Sequence, residues 1–84
     1  MTPSQREWPE GAVMAQFVIY KFPRDFPSDY VMRAHFIMNN NTVVADSVAW
    51  RAPTIEGLHA ILPPGLTRLE PMPGDDPVIF EVWI

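Results

Sequence analysis

The sequence predicts an α+β domain: one short helix on a mainly antiparallel sheet of four to five strands, in the order β-β-β-α-β-β. Three observations lead there. Runs rich in β-branched and aromatic residues alternate with a period of two along most of the chain. A single segment, after Pro53, shows helical spacing. Clusters of proline, glycine and asparagine separate these runs at short intervals.

The chain of 84 residues suits one small domain. Residues 1–12, broken by Pro3, Pro9 and Gly11, are expected to form a flexible leader, with residues 13–84 as the folded domain. Met14 stands as a second candidate start, and Trp8 is the leader residue expected to tuck against the body. The first strand is AQFVIYKF, Ala15 to Phe22, and Pro23 and Pro27 end it because proline cannot donate to a ladder. A second strand, Tyr30 to Met38, places Tyr30, Met32, Ala34, Phe36 and Met38 on one face and Val31, Arg33, His35 and Ile37 on the other. Asn39-Asn40-Asn41 suits a hairpin turn, since asparagine tolerates positive φ, and Thr42 to Arg51 returns as the third strand.

Thr54 is the expected N-cap of the helix, with Glu56 in the first turn and Ile55, Leu58 and Leu62 on one face. Pro63-Pro64-Gly65 stops it, and Gly57 inside it costs about 1 kcal/mol relative to alanine. A fourth strand near Leu66 to Glu70 leads into the turn MPGDDP, and Val78 to Ile84 closes the sheet. A helix of about nine residues spans about 13 Å, whereas four or five strands make a sheet nearer 20 Å wide. One sheet face is therefore expected to stay open although both faces carry large apolar residues. A patch of that kind marks an interface, so a homodimer or a protein partner is expected to cover it.

Composition narrows the function. The net charge is −4, and it gathers at the end: residues 69–84 hold Glu70, Asp75, Asp76 and Glu81 without a lysine or arginine. No cluster of cations of the kind that grips phosphate is visible, which argues against direct nucleic-acid binding. Without cysteine there is neither a disulfide framework nor a thiolate metal site. No apolar run approaches the roughly 20 residues needed to span a bilayer, and the N-terminus lacks a signal-peptide core. A soluble cytoplasmic protein is expected.

The search for chemistry finds no nucleophile elbow around Ser4, Ser28 or Ser47, no metal-binding spacing between His35 and His59, and no phosphate loop. Asp75-Asp76 sits between Gly74 and Pro77 and reads as a turn. No catalytic residue, metal or cofactor is assigned; a small enzyme with a metal site at Asp25, Asp29 and His35 stays open as an alternative. The stretch KFPRDFPSDYVMR, Lys21 to Arg33, holds two Phe-Pro pairs that pre-set backbone angles. It reads as a stiff corner whose phenylalanines anchor it, and as a loop able to present Arg24, Asp25 and Tyr30 at a low ordering cost.

The runs FVIYKFPRDFPSDYVMR, LPPGLTRL and DDPVIFEVWI, within residues 17–84, together resemble a group of small bacteriophage and prophage proteins. In that group a D-F-P-x-x-Y-V-x-R loop and a D-D-P-V-I-x-E-V-W ending recur in this order. The resemblance brings no catalytic residue with it. It implies a phage accessory protein acting by stoichiometric binding in the bacterial host cell, with anti-CRISPR inhibitors as one such class. On that reading Glu70, Asp75, Asp76 and Glu81 cover cations with which a CRISPR surveillance complex grips DNA, and Trp83, Arg24, Asp25 and Tyr30 complete the contact. A self-associating phage structural or assembly protein is the other non-enzymatic alternative.

Overall fold

The computed structural model describes residues 1–70, 74 and 76–84. A 3-10 turn at Pro3–Gln5 precedes β1 (Ala12–Lys21), β2 (Tyr30–Met38), β3 (Val43–Ala52), α1 (Ile55–His59), β4 (Arg68–Leu69) and β5 (Ile79–Trp83). The five strands form one sheet in the order β3-β2-β1-β5-β4, and every neighbouring pair is antiparallel. This is the α+β architecture and element order that the residue pattern predicts.

The elements differ in length from expectation for local reasons. Strand β1 begins at Ala12 because a bulge between Ala12 and Met14 lets it pair with β2 beyond Ala15. Helix α1 has five residues rather than about nine. Beyond Ala60 the backbone bonds tighten to Ile61 N→Leu58 O and Leu62 N→His59 O, spacing of the 3-10 kind, and Pro63 disfavours helical backbone at Leu62. Thr54 caps the helix as expected, its side chain accepting from Gly57 N at 3.3 Å. At the hairpin, Asn41 takes a φ of 67°, and Asn40 Oδ1 accepts from Thr42 N and from the Thr42 hydroxyl.

One face of the sheet holds the core. Ala15, Phe17 and Ile19 of β1 and Met32, Ala34 and Phe36 of β2 pack with Leu58 of α1, and Trp50, Ala52, Leu62, Leu66 and Trp83 close around them. Ile19, Met32 and Leu58 are fully buried. Gly57 permits this packing: a Cβ there would stand 2.9 Å from the Ala52 Cβ on β3. The first eleven residues lie along the same face. Pro3 is buried, Trp8 approaches Phe36 at 6.0 Å between ring centroids, and the Trp50 indole N–H donates to Met1 O. Helix and leader thus divide one face between them.

Candidate functional site

The opposite face is built from the other half of the alternation. Register places Arg51, Val31, Tyr20 and Ile79 in one row across β3, β2, β1 and β5. Ala49, Arg33, Val18, Val82 and Leu69 form the next row, ending on β4. Ala45, His35 and Gln16 form a third. Among the described residues no helix lies over these rows. Along their centre run Val18, Tyr20, Ile79 and Val82, and arginines, an amide and carboxylates surround them.

The Lys21–Asp29 corner rises at one side of this face. Phe22 N→Asp29 O, Phe26 N→Pro23 O and Asp29 N→Phe26 O close it as consecutive turns. Phe22 adopts a φ of 51°, costly for a bulky side chain and held here by its neighbours. The two phenylalanines then go to different sides of the sheet. Phe22 packs on Tyr30, which meets Phe80, at the end of the core. Phe26 comes over the open face, where the Arg51 guanidinium stacks on its ring at 4.3 Å and also pairs with Asp29 at 3.6 Å. Both halves of the motif anchor the corner, and neither duplicates the other.

Two shallow hollows result. One, of about 280 Å³, lies under the corner and is lined by Asp25, Phe26, Val31, Arg33, His35 and Tyr20 among others. The second, of about 330 Å³, lies toward β4 and is lined by Val18, Tyr20, Leu69, Glu70, Ile79 and Val82 among others. Tyr20 and His35 border both, and Tyr20 Oη is hydrogen-bonded to His35 Nε2 at 3.1 Å. Burial, aided by the charge of Arg33, pushes the His35 pKa below its ordinary value. Burial also raises that of Tyr20, with Asp76 adding to the rise and Arg33 opposing it. At neutral pH the centre of the face is therefore an uncharged Tyr–His pair.

The residues that the sequence singles out do not gather into one surface. Arg24 and Asp25 are exposed on the corner, and Asp25 lines the first hollow. Tyr30 belongs instead to the covered face, between Phe22 and Phe80. The acidic ending is divided as well. Glu70 is exposed at the β4 edge and pairs at 3.1 Å with Arg68, whose guanidinium also reaches Glu81 on the covered side. Asp76 caps its own turn by accepting from Val78 N, and Asp75 lies outside the described residues. Glu81 is buried on the covered side. Its carboxylate meets His59 Nε2 at 2.6 Å and accepts from Arg68 Nη1 and Trp83 Nε1. Burial raises its pKa, but these bonds outweigh burial and leave it below the ordinary carboxylate range. Trp83 faces the same cluster, at 5.4 Å from the His59 ring. Glu81 and Trp83 are thus parts of the fold's interior bonding, because the strand period turns both toward α1.

Sequence reasoning passed over three groups. The Tyr20–His35 pair spans two rows of the face, and the His59–Glu81–Arg68 cluster joins three elements. The third is Asp46, buried at a bulge in β3 and held by Arg6 through Nε at 2.9 Å and Nη2 at 2.8 Å. The Arg6 guanidinium holds the Asp46 carboxyl below its usual range, against the upward push of burial. Trp8 alone hinted that the leader returns to the body. Among the described residues no three histidine, aspartate or glutamate side chains form a group able to hold a metal, Asp25, Asp29 and His35 included. No helix among them is long and apolar enough to cross a membrane.

Compared with protein-family models, curated proteins and solved structures, the chain matches none.

Proposed function

We propose that this protein acts as a non-catalytic binding module, and that the open sheet face, with the Lys21–Asp29 corner as its rim, is the surface it offers. The observation that carries this reading is the asymmetry of cover. Helix and leader both lie on one face, while the other keeps an apolar centre inside a ring of Gln16, Arg33, Arg51, Asp25 and Glu70. An apolar centre with a polar rim is the anatomy of a protein interface. The corner is closed by its own turns and two aromatic anchors, so little order remains to be acquired on binding.

On this reading the phage accessory role, including inhibition of a CRISPR surveillance complex, works through the face and its Glu70 edge. The burial of Glu81 supports that shift away from a continuous acidic strip. The test is affinity capture from lysate of a bacterial host, comparing wild type with Ile79→Arg on the open face and Glu7→Lys on the leader. Stoichiometric capture by wild type and Glu7→Lys, lost in Ile79→Arg, is the expected result. Undiminished capture by Ile79→Arg would overturn the assignment of the face.

A further inference from the structure

We infer that the edge of the sheet at residues 43–45 takes an extended segment of another protein as a further strand, with one large apolar side chain of that segment seated in the hollow beside the edge. The site lies on the rim and the covered side, apart from the open face, and so goes beyond the function proposed above.

The backbone groups define the edge. Strand β3 stands first in the order β3-β2-β1-β5-β4, so among the described residues one of its sides has no neighbouring strand. In an antiparallel pair, successive residues turn their backbone groups alternately toward the neighbour and away from it. Met38 N donates to Thr42 O, so Met38 and Phe36 turn theirs toward β3. Phe36 is opposite Val44, which leaves the N–H and C=O of Val43 and Ala45 pointing outward. Natural sheets blunt such edges with charge, proline or a bulge. Beyond Ala45 that device is present: the strand bulges, and the Asp46 carboxylate accepts from Val48 N at 3.2 Å. Residues 43–45 carry none of these, and Val43 and Val44 are 59% and 45% exposed. The opposite edge, β4, is only two residues long.

A hollow of about 430 Å³ adjoins this stretch on the covered side, lined by Trp8, Phe36, Val44, Arg6 and Asp46 among others. Cross-strand neighbours point to the same face. An added residue opposite Val44 therefore directs its side chain where Val44 and Phe36 direct theirs, into the hollow. Phe36 and Trp8, 6.0 Å apart between ring centroids, give that side chain an aromatic wall. At the far end Arg6 is clamped on Asp46 by bonds of 2.9 and 2.8 Å, and closes the hollow. The hairpin turn on one side and this clamp on the other fix the register: one side chain enters, and its two neighbours bond to Val43 and Ala45. Such an arrangement is strand addition with a single specificity pocket. A second copy of the chain suits it less well, because two such edges related by a two-fold axis put only a valine, Val44, over each hollow.

Short capped threonine peptides, with lysine at the ends and leucine, phenylalanine or tryptophan at the centre, are the probes, titrated into the full chain by amide NMR. Saturable binding in the millimolar range or tighter is expected for at least one of them, with the largest shifts at Val43, Ala45 and the Trp8 indole. Aspartate at the centre is expected to weaken binding at least about tenfold. N-methylation of the residues flanking the centre removes their donors, keeps their side chains, and is expected to abolish binding. Ala45→Pro deletes an N–H that the β2 ladder does not use, so it is expected to lose binding with an unchanged circular dichroism spectrum. Should that variant fail to fold, the N-methylated peptide makes the same test. Ile79→Arg is expected to bind the peptides like wild type, whatever becomes of its capture from lysate, so this inference and the proposed function fail separately. No saturable binding by any probe, binding indifferent to N-methylation, or loss of binding in Ile79→Arg would overturn the inference. Self-association of the chain through the same amides, in the absence of peptide, would overturn the choice of another protein as the occupant.

Discussion

The two faces of the sheet use the same residue types for different ends. On the covered face the buried carboxylates are each held by hydrogen bonds from side chains distant in sequence, Asp46 by Arg6 and Glu81 by His59 and Arg68. Around the open face Arg33, Arg51 and Asp25 all keep some surface in solvent, and Arg51 meets Asp29 at 3.6 Å. A charge withdrawn from water must be matched by directed bonds, whereas a charge at a rim keeps part of its hydration. On the proposed reading, association belongs to the open face, and most of the core packing to the covered one.

The comparison breaks most readily in the core. Leu58 is fully buried between α1 and the sheet, so Leu58→Ala is expected to cost about 3 kcal/mol in urea or guanidinium unfolding. A cost no larger than that of Ile79→Arg on the other side would end the distinction between the faces. Gly57→Ala comes next. Helix propensity favours alanine by about 1 kcal/mol, but the added Cβ would stand 2.9 Å from the Ala52 Cβ. Steric displacement is expected to win, with net destabilisation of about 1 kcal/mol; a more stable variant would show that α1 slides freely over β3.

The smallest effect, and the sharpest discriminator, is pH. Asp46 and Glu81 have lowered pKa values, so the stability they contribute is present above the ordinary carboxylate range and is lost as pH falls through the lowered values. His35 is also lowered, so its contribution is present above about pH 6.5 and is lost as pH falls below that toward its own lowered value. Equilibrium unfolding against pH is expected to show two limbs. His35→Gln should flatten the one just below pH 6.5, and Glu81→Gln the one below about pH 4.5. One limb answering to both substitutions would mean that the faces titrate together.

Much of the local structure was legible in the residue pattern. Thr54 as N-cap, the Asn39–Asn41 turn and the two proline-bounded strands follow from chemistry acting over three or four residues, and the structure shows each of them. The site was legible only in part. The open face and the stiff corner follow from alternation and from the Phe-Pro pairs, but the parting of Phe22 and Phe26 to opposite faces does not. Nor does the withdrawal of Glu81 and Trp83 from the acidic ending, because period-two spacing says which residues share a face without saying which face the helix will cover.

The sequence by itself determined the number, order and approximate ends of the elements, together with an imbalance between one short helix and two apolar sheet faces. Those properties depend on backbone sterics and hydrophobic period, which act between near neighbours. Only the tertiary structure decided which face α1 and the leader cover. It did so through contacts such as Arg6 with Asp46 and His59 with Glu81, which join residues 40 and 22 positions apart. Such pairs leave no local trace, because their partners come within bonding distance only when the sheet closes.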